Sequence, residues 1–271
     1  MATNDPSPAP PAPGADWNPD RVRRYVSTMG PLIRAYHRAE VHGLDAFPDG
    51  AALVVANHSG GMLAMDLPVF ANAFYRRFGY RRPLFTLSFD LLFASPLGDV
   101  FRSFGFIPAN PGNAAAALRD GGVVVVFPGG DYDVYRPFTA RNTIDFDGRT
   151  GYVRTALDAG VPIVPVVQIG GQETQLFLSR GTALARMLGL HRLVRARILP
   201  ISVGFPFGLS VVLPINAPLP SKIVMQALEP IDLIETFGPD PDIDEVDTHV
   251  RAVMQAALDR LAAQRRLPVI G

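Results

Sequence analysis

The chain has 271 residues, of which 48% are hydrophobic, 9% aromatic and only 18% charged. That is enough apolar material for one sizeable core and too much for a disordered chain. With 25 basic against 25 acidic side chains the net charge is zero, which argues against bulk binding of nucleic acid. The absence of cysteine excludes disulfides, thiolate metal sites and cysteine nucleophiles.

Residues 1–20 carry six prolines, no basic start and no apolar stretch. They read as a flexible proline-rich tail and not as a signal peptide, ahead of a single domain over residues 21–271. From Arg21 to His42, Val22, Tyr25, Val26, Met29, Leu32, Ile33 and Tyr36 fall at helical spacing, with Pro31 expected to kink or split the helix. Ala51–Ala56, Gly121–Phe127 and Val161–Ile169 are continuous apolar runs rich in β-branched residues, the pattern of strands covered on both faces. Asp66–Phe78, Asn113–Arg119 and Gly151–Ala159 read as helices between them. The alternation predicts an α/β fold with a central, mostly parallel sheet flanked by helices.

Ile198–Ser221 is the longest uncharged run. Five prolines break it, so it is expected to form short buried strands joined by turns and not a membrane span. Charge is nevertheless uneven. Arg76, Arg77, Arg81 and Arg82 cluster among aromatics, and Arg180, Arg186, Arg192, Arg195 and Arg197 are interleaved with large apolar residues and no acid. Both fit solvated helix faces; the second also fits a basic amphipathic surface against anionic lipid. Glu229–Asp247 collects eight acids that such a surface would repel. The expected location is cytoplasmic, or peripheral on the cytoplasmic side of a membrane.

Chemistry concentrates where strands end, the usual ligand position in parallel α/β sheets. After the first strand comes Asn57-His58-Ser59-Gly60-Gly61, with Asp66 at the start of the next helix. His58 and Asp66 fit a base and its orienting acid, and equally an ordinary loop histidine and a helix cap. After the second strand comes Phe127-Pro128-Gly129-Gly130-Asp131-Tyr132, whose glycines allow backbone N–H groups to approach an anion or oxyanion.

Together these segments resemble the glycerolipid (lysophospholipid) acyltransferase superfamily, with its N-H-x-x-x-x-D and F-P-E-G or F-P-G-G motifs. Gly105-Phe106-Ile107-Pro108, Gly148–Ala156 and Val161–Val166 are similar to its later blocks in the expected order, over about residues 40–232. Phe-Pro-Gly-Gly and Gly170-Gly171-Gln172-Glu173 resemble the monoacylglycerol/diacylglycerol acyltransferase-like branch. There are two departures. Leu63 stands where the motif has its aspartate, the first acid after His58 being Asp66, and Gly129 replaces the motif glutamate.

The resemblance implies acyl transfer from acyl-CoA, a co-substrate and not a cofactor, to a glycerolipid hydroxyl, with no metal and no acyl-enzyme. His58 would be the general base and Asp66 its partner. Asn57, Phe127, Pro128, Gly129 and Gly130 would form the oxyanion and acceptor site with Arg136 and Arg149, for which Arg141 and Arg154 are alternatives. Arg76, Arg77, Arg81 and Arg82 would receive the coenzyme A phosphates. The partners implied are acyl-CoA, a lipid acceptor and a membrane surface. A lysophospholipid or wax-ester acyltransferase, a lipid hydrolase and a catalytically inactive lipid-binding relative share these features.

Overall fold

The computed structural model describes residue 14 and residues 16–190, 197–213, 215–267 and 269–270. The expected boundary at residue 20 is displaced. Trp17 already packs on the core, Asn18 caps the first helix by accepting from the Asp20 and Arg21 N–H groups, and Pro19 opens it.

The chain then runs through α1 (Pro19–Tyr36), β1 (Glu40–His42), β2 (Ala52–Ala56), α2 (Asp66–Phe78), β3 (Leu84–Ser88), α3 (Asp90–Phe93), α4 (Gly98–Ser103), β4 (Phe106–Pro108), α5 (Pro111–Arg119) and β5 (Val123–Val126). After these come α6 (Gly130–Val134), α7 (Gly151–Ala159), β6 (Ile163–Ile169), β7 (Leu176–Ser179), α8 (Thr182–Met187), β8 (Ile201–Gly204), β9 (Gly208–Val211), β10 (Val224–Ala227), α9 (Leu233–Phe237) and α10 (Ile243–Gln264).

Seven strands form the central sheet in the order β1-β10-β6-β2-β5-β3-β4. β6, β2, β5, β3 and β4 are mutually parallel, while β10 runs antiparallel to β6 and carries β1 parallel to itself. The alternation of side chains along β2 divides the core. Leu53 and Val55 face α5, α7 and α10, while Ala52, Val54 and Ala56 face α1 and α2. Every β2 and β6 residue is buried, which is why these strands read as unbroken apolar runs. Phe74 on α2 is fully buried against Phe47, Phe70 and Phe78. Phe74→Ala is expected to cost about 3–5 kcal/mol, read as a lower urea midpoint with an unchanged slope.

Three expectations need correction. Pro31 does not split α1. It lies on the exposed side, and Val22, Val26 and Ile33 bury the other face on both sides of it, so one lost hydrogen bond is tolerated. Met29, Leu32 and Tyr36, expected to face the core, are exposed. Finally, Ile198–Ser221 does form strands, but β8 and β9 belong to a separate antiparallel sheet, β7-β8-β9, whose apolar side chains are largely exposed. Among the described residues no helix is long and apolar enough to cross a membrane.

Candidate active site

The site is built where β2, β5 and β6 end together. As β2 stops, Asn57 continues its pairing by side chain: Nδ2 donates to the Gln168 carbonyl, and the Gln168 N–H donates to Oδ1. That fixes the exit of the chain and aims His58 at the mouth of the sheet, with 22% of its side chain exposed. The His58 N–H donates to Asp133 Oδ2 at 2.6 Å, so the backbone beneath the ring is locked as well.

The chain then turns sharply. Gly60 and Gly61 hold φ of +94° and +69°, and a Cβ on Gly60 would stand 2.7 Å from Thr174 Oγ1. This left-handed step and the single 3₁₀ turn Gly61–Leu63 return the chain so that α2 starts at Asp66 beside the ring. Asp66 Oδ2 lies 2.5 Å from His58 Nδ1. The same oxygen accepts from the Ser59 N–H and from Gln168 Nε2, while Oδ1 accepts from the Leu67 N–H. Asp66 is therefore both the partner of His58 and a helix-start acceptor. Leu63, at the family's acid position, is exposed on the turn.

With Nδ1–H directed at Asp66, Nε2 is the nitrogen left to accept a proton. Burial works against a charged ring, but the Asp66 carboxylate, its hydrogen bond and the charge of Asp133 outweigh it and hold the His58 pKa above the usual histidine value. Phe127 stacks on the imidazole at 4.3 Å, and Pro128 is buried beside it.

The Phe-Pro-Gly-Gly turn does less than its two glycines suggest. The Gly130 N–H already donates to the Phe127 carbonyl at 3.0 Å, so it is no oxyanion donor. The Gly129 N–H has no hydrogen-bond partner among the described residues and remains the candidate. A Cβ on Gly129 would meet Asp133 Cβ at 2.5 Å. Gly129→Ala should therefore displace the loop that carries this N–H and the Asp133 anchor. Acyl transfer should fall by about 10²–10³-fold, the usual cost of a lost oxyanion donor, with KM little changed in steady-state kinetics.

The other expected residues are redistributed. Both polar atoms of the Asn57 side chain are taken up by the strand clamp. Arg136 is buried and gives Nε and Nη2 to Asp133 Oδ1, which leaves Asp133 Oδ2 for His58. Arg149 stays at the mouth but is committed to the Gly129 carbonyl, Asp131 and Asp147, and Arg141 leans on Phe138 and Glu173. Arg154 is exposed on α7. Arg76, Arg77, Arg81 and Arg82 lie away from the His58–Asp66 pair. α2 begins at Asp66 and carries them about 15–20 Å away at 1.5 Å per residue, to the edge where β3 begins. There Arg77 pairs with Asp45, and Arg82 donates to the Pro48 and Gly50 carbonyls against Phe47. Of the second basic cluster, Arg180 stacks on Tyr132 and donates to its carbonyl, and Arg186 and Arg197 are exposed. Arg192 and Arg195 lie outside the described residues.

Sequence reasoning missed Gln168, Gln172 and Asp133. Gln168 joins Asn57, Ser59 and Asp66, and Gln172 donates to the carbonyls of His58 and Asp133. The available signal was Gln168 itself, the one polar side chain in an otherwise apolar buried strand. Among the described residues no group of three or more histidine or carboxylate side chains is placed to hold a metal ion.

A family model described as Acyltransferase matches residues 38–169, which contain His58, Asp66 and the glycine turn. Residues 38–169 thus carry an acyltransferase-family domain. An uncharacterised protein of Mycobacterium tuberculosis is 36% identical over 87% of this chain and 66% of its own length. A mouse protein described as a DGAT1/2-independent enzyme synthesizing storage lipids is 28% identical over 77% of this chain and 62% of its own. The chain thus spans somewhat under two thirds of the length of these curated relatives. The crystal structure of the acyltransferase PlsC from Thermotoga maritima, described as acting on 1-acyl-sn-glycerophosphate, shares the fold. Its TM-score is 0.56 at 18% identity, over 90% of this chain and 79% of that one.

Proposed function

We propose that this protein is an O-acyltransferase that moves a fatty acyl group from acyl-CoA to the hydroxyl of a glycerolipid, with no acyl-enzyme. The observation that carries the reading is the pairing of His58 with Asp66 at 2.5 Å in an open strand-end site, despite the altered spacing. In this mechanism His58 Nε2 accepts the proton of the acceptor hydroxyl as its oxygen attacks the thioester carbonyl. Asp66 holds the tautomer and stabilises the imidazolium that forms. The carbonyl oxygen becomes an oxyanion and takes the Gly129 N–H. On collapse the C–S bond breaks, the thiolate leaves, and the imidazolium returns its proton to it. Ser59 is unsuited to a covalent route, because it is buried and its Oγ accepts from Gln168 Nε2.

The acceptor that this site favours is uncharged. Arg136, Arg141 and Arg149 are each committed to carboxylates, and Asp131 and Asp147 stand at the mouth, so a phosphate monoester there would meet neutralised cations and two acids. The encounter is with a membrane surface from the cytoplasmic side, since both the acyl product and the acceptor partition into lipid. Radiolabelled acyl-CoA offered to the purified protein with monoacylglycerol, diacylglycerol, lysophosphatidate, a long-chain alcohol or water alone is the test. Labelled neutral glyceride should dominate. Free fatty acid as the main product would make the protein a hydrolase, and label in phosphatidate would overturn the acceptor class.

A further inference from the structure

We infer that the β7-β8-β9 sheet is built inside-out and that its outward apolar face docks on an anionic lipid surface beside the site. Register puts Phe177, Ser202 and Ser210 on one side of this sheet and Val203, Leu209 and Val211 on the other. The polar side is the buried one. Ser202 and Ser210 hydroxyls share a hydrogen bond of 3.0 Å, Gln175 donates to Ser202, and Asn216 donates to Ser210 and to the Gly208 carbonyl. These bonds pin the register, so the apolar side chains cannot turn inward by slipping one residue. Leu209 and Leu213 are each 66% exposed, and Phe205 at the hairpin tip is 69% exposed. An antiparallel sheet bordering water has the opposite arrangement, apolar inside and polar outside. A contiguous apolar face of this kind marks a neighbour other than water.

Charge and position identify that neighbour. No acidic residue occurs between Glu173 and Glu229, a stretch that holds five arginines in a chain of zero net charge; Arg180 is stacked on Tyr132, Arg186 and Arg197 are exposed, and Lys222 in the same stretch is paired with Glu40. A second copy of the chain would set this cationic module against itself, whereas an anionic bilayer complements it. The acids of Glu229–Asp247 begin at the opposite end of the strands from the site, where Ile231 pairs with Ile163 at the start of β6. The sheet also lies beside the site: on its buried side Met62, four residues after His58, lines one small cavity with Phe177, Ser202 and Val212. The choice of lipid as occupant rests on the acyltransferase reading, in which an acceptor would leave the bilayer directly into the mouth of the site.

Vesicle binding by the full chain tests the docking face without using turnover. Wild type should co-sediment with phosphatidylcholine vesicles containing phosphatidylserine, bind pure phosphatidylcholine more weakly, and be partly released by salt. The triple variant Leu209→Ser, Val211→Ser, Leu213→Ser should keep its thermal midpoint, because these side chains are exposed, and should lose about 100-fold in partitioning. Leu209→Trp should show a blue-shifted emission on the same vesicles beyond the change of the wild type. Binding of the triple variant equal to wild type, no binding by wild type, or an unshifted Leu209→Trp in the bound protein would each overturn the proposal. So would a wild-type dimer in vesicle-free sedimentation that the triple variant converts to monomer, because the face would then belong to a second copy. His58→Ala should bind vesicles as wild type does. Failure of the reaction and failure of the docking face are thereby read separately.

Discussion

Replacing His58 by alanine is expected to lower the turnover of acyl transfer by about 10²–10⁴-fold, the range for loss of a general base. The fold should survive. The ring is partly exposed, and Asp66 keeps the Ser59 N–H, the Leu67 N–H and Gln168 Nε2 as donors once the imidazole is gone. The backbone contact from the His58 N–H to Asp133 does not depend on the side chain. Single-turnover measurements with labelled acyl-CoA, beside a urea titration, separate the two effects. A variant with wild-type turnover would end the role assigned to His58. For the wild type, His58 must be neutral to act, and its pKa is held above the usual histidine value. The rate should therefore fall on the acid side through a midpoint above about 6.5.

Asp66→Asn should cost acyl transfer about 10²–10⁴-fold with little loss of fold, because an amide accepts hydrogen bonds but cannot stabilise an imidazolium. The amide oxygen in place of Oδ2 can still receive the His58, Ser59 and Gln168 donors, while the amide NH₂ faces the Leu67 N–H, a mismatch worth about 1–3 kcal/mol. The pH profile carries the sign. Burial lowers the His58 pKa and Asp66 raises it, so removal of the carboxylate should move the acid limb to lower pH. Linkage gives a matching stability signature. A histidine whose folded pKa exceeds its unfolded value stabilises the fold fully below the unfolded pKa, and that stabilisation is lost as pH rises through the folded one. The wild type should thus lose this increment between the unfolded pKa near 6.5 and the higher folded value, and Asp66→Asn should not. An unshifted acid limb at full rate would reduce Asp66 to a helix-start acceptor.

Much of this was legible in the chain. β2, β5 and β6 are unbroken apolar runs because both of their faces are covered, and α2 begins and ends where its pattern does. His58 and the glycine turn stood out because chemistry-bearing residues followed such strands. What was hidden depended on distance. β1 and β10 are only three and four residues long and mix polar with apolar positions, so they carry no period of their own. The Arg76–Arg82 cluster lies toward the far end of the 13-residue α2 from Asp66, a placement that position in the sequence does not reveal. The Asn57–Gln168 clamp and the Asp133–Arg136 support join segments far apart in sequence or stand under the ring without touching it. In β8 and β9 the alternation was present, but periodicity alone does not say which face is inside.

The turn between His58 and Asp66 has a consequence for how such a site tolerates change. The base is held by the end of a strand and its acid by the first residue of a helix, and the Gly60–Gly61 turn brings the two together. The connecting segment is tight at Gly60 and Gly61, while Met62 and Leu63 are exposed. Insertions and substitutions at Met62 and Leu63 can remodel the lip of the cleft while the proton-transfer geometry stays fixed. The shape of the lip at Met62 and Leu63 and the geometry of the His58–Asp66 pair are therefore separable features of this scaffold.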